Sequence, residues 1–121
     1  MIRIIQEKDI DTVAEIWLDT NISAHNFINS RYWLSNFEMV KKMLFQAEVY
    51  VYENNSGIQG FIGLEQNYIA GIFVRQKFQS HNIGKQLLDF AKTIRNELTL
   101  NDFKMLPLVK FYCTNIFLIN I

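Results

Sequence analysis

The chain has 121 residues, half of them apolar, and its 12 basic residues balance 12 acidic ones. This length favours one domain with a single core, and the composition excludes intrinsic disorder and any bulk attraction to nucleic acid or to an anionic membrane. No apolar run approaches the roughly 18 residues of a membrane helix, the N-terminus lacks the layout of a signal peptide, and Cys113 is the only cysteine. We therefore predict a soluble cytoplasmic protein without a disulfide framework or a cysteine-based zinc site.

The first half of the chain predicts one strand and two helices. Residues 2–5 favour a short strand, and Asp9 is suited to cap the helix that follows. The apolar face of this helix is Ile10, Val13, Ala14 and Trp17, with Ile16 beside it. The pattern ends near 19–21, and the aromatic segment 21–33 has no clear period, which predicts a loop or short helical turns. Four apolar residues mark the second helix: Phe37, Val40, Met43 and Leu44.

From residue 48 onward the period is that of β-strands. Three strands are predicted at 48–53, 58–64 and 68–74. Turn residues at 54–57 and 66–67 join them into an antiparallel meander, and Gly71 inside the third strand indicates a bulge or a close backbone approach.

The last third predicts a helix and a mixture of short elements. The helix follows Gly84 and has its apolar face at Leu87, Leu88, Ala91 and Ile94. A strand at 98–100, a short helix from Pro107 through Tyr112 and a final strand at 116–121 complete the chain. The order β-α-α-β-β-β-α-β-α-β predicts an α/β (α+β) fold with an antiparallel meander at its centre.

The segment 72–85 (IFVRQKFQSHNIGK) predicts a strand, a polar turn and a helix N-terminus. Helix N-termini attract anions through their unpaired N–H groups and dipole. No Asp or Glu occurs from Gln66 to Leu88, whereas the segment carries Arg75, Lys77, Lys85 and His81. The pattern therefore favours a polyanion, although strand-turn-helix units are common in α/β proteins and basic turns also occur without function.

The stretch VRQKFQSHNIGKQLL resembles the acetyl-CoA-binding segment of the GNAT acetyltransferases, Q/R-x-x-G-x-G/A after an apolar strand. Gln79 takes the first position and Gly84 the last, while Asn82 replaces the middle glycine. Asparagine is the non-glycine residue best able to adopt a positive φ, so we expect the backbone turn to survive.

The resemblance covers most of the chain. The segments TNISAHNFINSRYW, NFEMVKKML and AEVYVYE are similar to the small bacterial branch that acetylates amines. The resemblance implies one GNAT domain over residues 1–121, with a mixed, largely antiparallel sheet flanked by helices. VKFYCTNIF is similar to the family segment A-x-x-F-Y-x-x-x-G-F, which places Tyr112 as the general acid near the CoA sulfur.

The resemblance also implies a reaction and a cofactor. Acetyl-CoA is the co-substrate, no metal is required, and the acceptor is a primary amine of a small molecule, a protein lysine or an N-terminus. The backbones of Ile72, Phe73 and Val74 would bind the pantetheine arm. The pyrophosphate would lie against Ser80, His81, Asn82, Ile83, Gly84 and Lys85. The amine attacks the thioester directly in a ternary complex, and a backbone N–H stabilises the oxyanion.

Two residues are candidates for the general base that deprotonates the amine. The family layout suggests Glu65, which otherwise is a surface carboxylate at a turn, and His25 is the second choice. Phe27, Tyr32 and Trp33 occupy the region where the family forms its substrate wall, and the alternative is that they anchor the core of an irregular loop.

Three departures from the family pattern keep a second function open. Asn82 is one, the segment before Pro107 is one residue short, and Ile116 replaces a glycine. The chain also lacks the family's final strand, so we expect a homodimer covering this sheet edge or a partly open C-terminal end. The alternative function is a GNAT-fold module that binds CoA without efficient turnover. Nucleic-acid binding would rest only on Arg75, Lys77 and Lys85, and the balanced charge opposes it.

Overall fold

A computed structural model describes residues 1–98 of the chain. Several predictions lie outside these residues and stay predictions: the acid role of Tyr112, the helix from Pro107, the exit at Ile116, the final strand at 116–121 and the dimer edge. The strand predicted at 98–100 also lies outside them, except for Leu98, which is not part of a strand.

The described part contains a four-stranded antiparallel sheet in the order β1-β2-β3-β4. The strands are β1 (Ile2–Ile4), β2 (Glu48–Asn54), β3 (Gly57–Glu65) and β4 (Tyr68–Val74). Tight turns connect the last three strands, with positive φ at Gly57 (104°) and Gln66 (54°). The predicted meander is therefore confirmed, with strand bounds within one residue of those expected.

Within residues 1–98, four α-helices flank the sheet: α1 (Ile10–Ala24), α2 (Ser30–Ser35), α3 (Phe37–Gln46) and α4 (Ile83–Ile94). The prediction that the first helix ends near 19–21 is wrong, because Thr20 and Asn21 are buried inside α1. Thr20 Oγ1 donates to the Ile16 carbonyl at 2.7 Å, and Asn21 Nδ2 donates to the Trp17 carbonyl at 2.8 Å. These hydroxyl and amide donors bond to carbonyl groups of their own helix, so the two residues do not end it; Asn21 Oδ1 is buried without a partner among residues 1–98.

Asp9 occupies the N-cap position of α1, as predicted, but its side chain makes no capping hydrogen bond to that helix. Its carboxylate accepts from the Gln6 N–H at 2.8 Å and from two guanidinium nitrogens of Arg3 at 2.7 and 3.1 Å. Arg3 also donates to Glu53 at 2.9 Å. The hydrogen bond from Arg3 holds the pKa of Asp9 below its usual range, although burial opposes this. Asp9 therefore ties β1 and the end of β2 to the 3-10 turn Glu7–Asp9 that precedes α1.

Each face of the sheet carries its own hydrophobic core. The α1 face is covered by α1, α2 and α3, and its core is Ile10, Val13, Ala14, Ile16, Trp17, Trp33, Val40, Leu44, Val49, Val51, Ile58, Phe61 and Phe73. The α4 face is covered by α4, and its core is Ile62, Leu64, Ile69, Ile72, Val74, Ile83, Leu87 and Ala91. Burial of these side chains holds α4 against the end of β4.

One bulge and one close approach shape the pairing of β3 and β4. The register of β3 with β4 shifts between Gly63 and Leu64, so β4 has an extra residue at Ala70, beside the glycine where a bulge was predicted. At Gly60 a Cβ atom would lie 2.8 Å from the Phe73 carbonyl oxygen and 3.3 Å from Ile83 Cγ2. Only glycine leaves room here for both β4 and the start of α4.

Candidate functional site

Near the C-terminal end of β4, some backbone N–H and C=O groups point away from β3. The Arg75 N–H donates to the Gln59 carbonyl at 2.9 Å, so this residue faces β3. Hydrogen-bonded and non-hydrogen-bonded residues alternate in an antiparallel pair. The backbone of Phe73 therefore faces β3 as well, whereas Ile72 and Val74 direct their N–H and C=O groups to the opposite edge. Within residues 1–98, β4 pairs with no strand on that edge.

Gln79 fixes the start of the turn that connects β4 to α4. We name residues 75–82 the β4–α4 turn; it contains the 3-10 helix Gln76–Phe78. The Gln79 side chain donates from Nε2 to the Val74 carbonyl at 3.0 Å, and this bond is partly buried. The side chain thus closes the turn onto the last residue of β4, on the edge that faces away from β3.

Two residues other than glycine adopt left-handed backbone angles in the β4–α4 turn. Asn82 has φ 65° and ψ 11°, which confirms the expectation that asparagine keeps the turn in place of the family glycine. Ser80 has φ 68°, and no sequence signal marked it. The Asn82 carbonyl accepts from the Gln86 N–H at 2.9 Å, which closes the first turn of α4. Ile83, Gly84 and Lys85 lie before Gln86 in the first turn of α4, so their N–H groups have no hydrogen-bond partner inside the helix.

The charges around the β4–α4 turn are mostly positive, but one acidic residue lies close to them. Asp89, just outside the acid-free segment, accepts from Lys85 Nζ at 2.9 Å. Both side chains are more than half exposed, so the pair is weak and salt-sensitive. The hydrogen bond from Lys85 lowers the pKa of Asp89.

The other basic residues of the turn have distinct surroundings. Arg75 Nε donates to the Ile58 carbonyl at 3.0 Å, and Lys77 is exposed. His81 is exposed and its Nδ1 lies 2.9 Å from the Gln79 carbonyl. The turn therefore presents cations to solvent while its backbone is held by local hydrogen bonds.

Glu65 lies at the other end of β4, where β3 ends. Alternation along β3 places it on the same side as Phe61 and Gly63, which is the α1 face. Its Oε2 is buried and has no hydrogen-bond partner among residues 1–98. Among the buried side-chain atoms of residues 1–98 for which no hydrogen bond is formed, it is the only carboxylate oxygen, and buried polar atoms are usually paired.

The aromatic residues of 25–33 form one cluster at the end of α1. His25 is buried, and its ring lies 5.8 Å from those of both Phe27 and Trp33, while Tyr32 lies 5.1 Å from Trp33. Trp33 is fully buried and also contacts Trp17, so it anchors the core of the α1 face. Phe27 is 79% exposed and Tyr32 39% exposed. The cluster thus runs from the core to the surface.

A side-chain bond connects this cluster to the β4–α4 turn. Ser23 Oγ, near the end of α1, donates to Gln76 Oε1 at 3.1 Å. The end of α1 therefore contacts the start of the β4–α4 turn. Within residues 1–98, no group of three or more His, Cys, Asp and Glu side chains is placed to hold a metal ion. No helix in the same range has the length and apolar character needed to cross a membrane.

Comparison with known proteins identifies the class to which this fold and site belong. The sequence model described as "Acetyltransferase (GNAT) domain" matches residues 46–115, which include β2 to β4, the β4–α4 turn and α4. The chain belongs to the GNAT acetyltransferase family.

Individual relatives agree with this assignment. The chain is 30% identical over 115 residues to the peptidyl-lysine N-acetyltransferase YiaC of Escherichia coli K12, an alignment that covers 93% of this chain and 79% of that protein.

Two solved structures share the fold at lower identity. The apo form of YjaB from Escherichia coli superposes with a TM-score of 0.72 at 21% identity, over 81% of this chain and 67% of that chain. The paia N-acetyltransferase from Thermoplasma acidophilum, in complex with coenzyme A, superposes with a TM-score of 0.67 at 20% identity, over 78% and 70%.

Proposed function

We propose that the protein transfers the acetyl group of acetyl-CoA to a primary amine by direct attack in a ternary complex. One observation carries the proposal. The outer edge of β4 leads through two left-handed residues, Ser80 and Asn82, directly into the N-terminus of α4. This arrangement supplies backbone donors to an extended amide-containing arm first and to a pyrophosphate next, within a chain that belongs to an acetyltransferase family.

The pantetheine arm would bind along the outer edge of β4. Ile72 and Val74 direct their backbone groups to this edge, so they are the proposed partners of its amides. The prediction also included Phe73, whose backbone faces β3; we propose that Phe73 contributes by packing instead. Its ring stacks on Phe61 with centroids 4.9 Å apart on the α1 face. The arm would therefore be positioned by a rigid strand.

The pyrophosphate would lie across residues 80–85. The N–H groups of Ile83, Gly84 and Lys85 carry the positive end of the α4 dipole, and the nearby cations add long-range attraction. Gln79 acts as a positioning residue, because its side chain is already engaged with Val74. The first turn of α4 is thus the electrostatic centre of the proposed cofactor site.

The proposed chemistry needs a base, an oxyanion donor and an acid. Glu65 is proposed as the base, since its Oε2, which has no hydrogen-bond partner among residues 1–98, lies on the α1 face near the bulge of β4. His25 is the second candidate, and it lies on the same face at the end of α1. Tyr112 is proposed to protonate the departing thiolate by resemblance to the family. The base accepts a proton from the amine, the nitrogen attacks the carbonyl carbon, and the thiolate leaves.

A lysine side chain is the proposed acceptor. The support is the relative of 30% identity that is named a peptidyl-lysine N-acetyltransferase. Exposed Phe27 and Tyr32 would form the outer rim of the acceptor site, next to the β4–α4 turn. Single-domain organisation over 1–121 and a cytoplasmic location remain predictions from the sequence.

The test combines binding with turnover. Acetyl-CoA should raise the melting temperature, and it should release free thiol when lysine-containing peptides are added. Small polyamines tested in parallel would separate a peptide acceptor from a small-molecule acceptor. A melting shift without thiol release would support the alternative, a CoA-binding module without efficient turnover. The absence of any shift would contradict both functions.

A further inference from the structure

An apolar cavity of about 40 Å³ lies between the sheet and the helices of the α1 face. Its walls come from α1, α3 and the strands β2 to β4, and every side chain that lines it is apolar or aromatic. On the same measure one water needs roughly 10–15 Å³, and cavities without polar partners stay dry. The cavity therefore offers room for a few non-polar heavy atoms, and water is a poor occupant.

The cavity exists because small residues face it from the two strands that form its floor. Gly63 of β3 pairs with Gly71 of β4, and the extra residue Ala70 follows at the bulge. Gly63 and Ala70 are only partly buried, so the cavity wall that they form lies next to the protein surface. Larger walls stand on the other sides, among them Trp17, Phe61 and Phe73.

The position of the cavity identifies the part of a ligand that would enter it; this step rests on the proposed function. In the proposed site the pyrophosphate lies at residues 80–85 and the pantetheine arm lies first at Val74 and then at Ile72. From the pyrophosphate to the thioester, the cofactor therefore runs antiparallel to β4. The thioester then comes after Ile72, next to Gly71 and Ala70. These are the residues that border the cavity. The group attached to the thioester carbonyl is thus the part of the ligand closest to the cavity.

We propose that the cavity binds the alkyl chain of an acyl-CoA longer than acetyl-CoA, so that the protein also transfers propionyl and butyryl groups to amines. The chemistry is unchanged by the extra methylenes. The amine nitrogen bonds to the thioester carbonyl carbon, the C–S bond breaks, and the CoA thiolate takes up the proton that the amine releases. Each buried methylene favours binding by about fourfold.

The experiment measures the propionyl-to-acetyl ratio of kcat/KM by free-thiol release, in wild type and in two variants. Wild type should give a ratio of one or more. Gly63→Ala should lower it by at least about fourfold, since the added methyl group takes the space of one methylene. This Cβ would lie 3.7 Å from that of Ala70, an ordinary contact, so the variant should fold. Ala70→Gly is the matched opposite change and should raise the butyryl-to-acetyl ratio.

The ratio is internal to each variant, so a general loss of activity cancels. Acetyl-CoA turnover with a wild-type ratio below one would overturn this proposal and leave the proposed function intact, because a methylene that a site does not accommodate costs about 10- to 200-fold. The proposal would also be overturned if Gly63→Ala left the propionyl-to-acetyl ratio unchanged. This holds even if the variant changed the KM of the amine acceptor. If turnover is absent, the melting shifts of acetyl-CoA and propionyl-CoA supply the same comparison. No shift with either would overturn both proposals.

Discussion

The two ends of β4 present different kinds of chemical groups. At its C-terminal end the proposed contacts are backbone groups, from Ile72 and Val74 and then from the first turn of α4. At its N-terminal end the proposed contacts are side chains, the Glu65 carboxylate and the small residues beside the bulge. The first end should therefore tolerate substitutions that keep the backbone angles, whereas the second should depend on residue identity itself.

Glu65→Gln should have the largest effect, and it tests the side-chain end. Removing a general base lowers kcat by about 100-fold or more, while acetyl-CoA affinity stays unchanged because the cofactor binds at the other end. Initial rates and a binding isotherm measure the two quantities. Glu15→Gln, at an exposed carboxylate on α1, is the control. A decrease in kcat of less than tenfold would remove Glu65 from this role and turn attention to His25→Gln.

Asn82→Val and Asn82→Gly test the backbone end as a pair. A β-branched residue resists φ of 65°, with a strain of about 1–3 kcal/mol. Acetyl-CoA should bind about 10- to 100-fold more weakly to the valine variant, because binding must restore the left-handed turn. The glycine variant should hold or improve affinity. A large loss with glycine would instead mean that the Asn82 side chain contacts the cofactor, and calorimetric titration distinguishes these outcomes.

Gln79→Leu should have an intermediate effect at the same end. The change removes the hydrogen bond to the Val74 carbonyl, worth about 1 kcal/mol, so acetyl-CoA affinity should fall about fivefold with kcat unchanged. Gln86→Leu makes the same chemical change at an exposed position on α4 and serves as the control. Equal affinities for the two variants would show that the turn holds its shape without this bond.

Asp89→Asn should have the smallest effect, in the opposite direction. It releases Lys85 from an exposed pair, so acetyl-CoA affinity should rise about twofold at low salt and return to the wild-type value at high salt. Lys85 lowers the pKa of Asp89, so acidification should imitate the variant only at a lower pH than for an ordinary aspartate. A loss of affinity at low salt would assign Asp89 a direct part in shaping the site.

Sequence reasoning succeeded where the signal was local. Strand period and turn residues predicted the meander, and the tolerance of asparagine for positive φ predicted the backbone at Asn82. The Lys85–Asp89 pair could also have been predicted, since residues four apart on a helix are neighbours. It was missed because the search for acidic residues ended at Leu88.

The remaining features depend on contacts that a linear pattern does not contain. Asp9 was assigned to a cap because the sequence pattern does not show that Arg3 binds its carboxylate. The pairing of β1 with β2 brings Glu53 to the same arginine from 50 residues away. Thr20 and Asn21 are polar, so their burial inside α1 had no sequence signal. The cavity beside Gly63 arises only when α1 and α3 cover the sheet, and the burial of Glu65 Oε2 without a partner among residues 1–98 arises only on folding.

Gly60 carries a consequence for the variation that this fold can accept. It is buried behind the proposed cofactor site, yet a methyl group there would meet the Phe73 carbonyl, Ile83 and Val74 together. Substitution of Gly60 by a larger residue would push the edge of β4 away from the N-terminus of α4. These two elements are proposed to bind the pantetheine arm and the pyrophosphate, respectively. We expect random mutagenesis under selection for acetyl-CoA binding to keep glycine at residue 60, although no ligand atom would touch it.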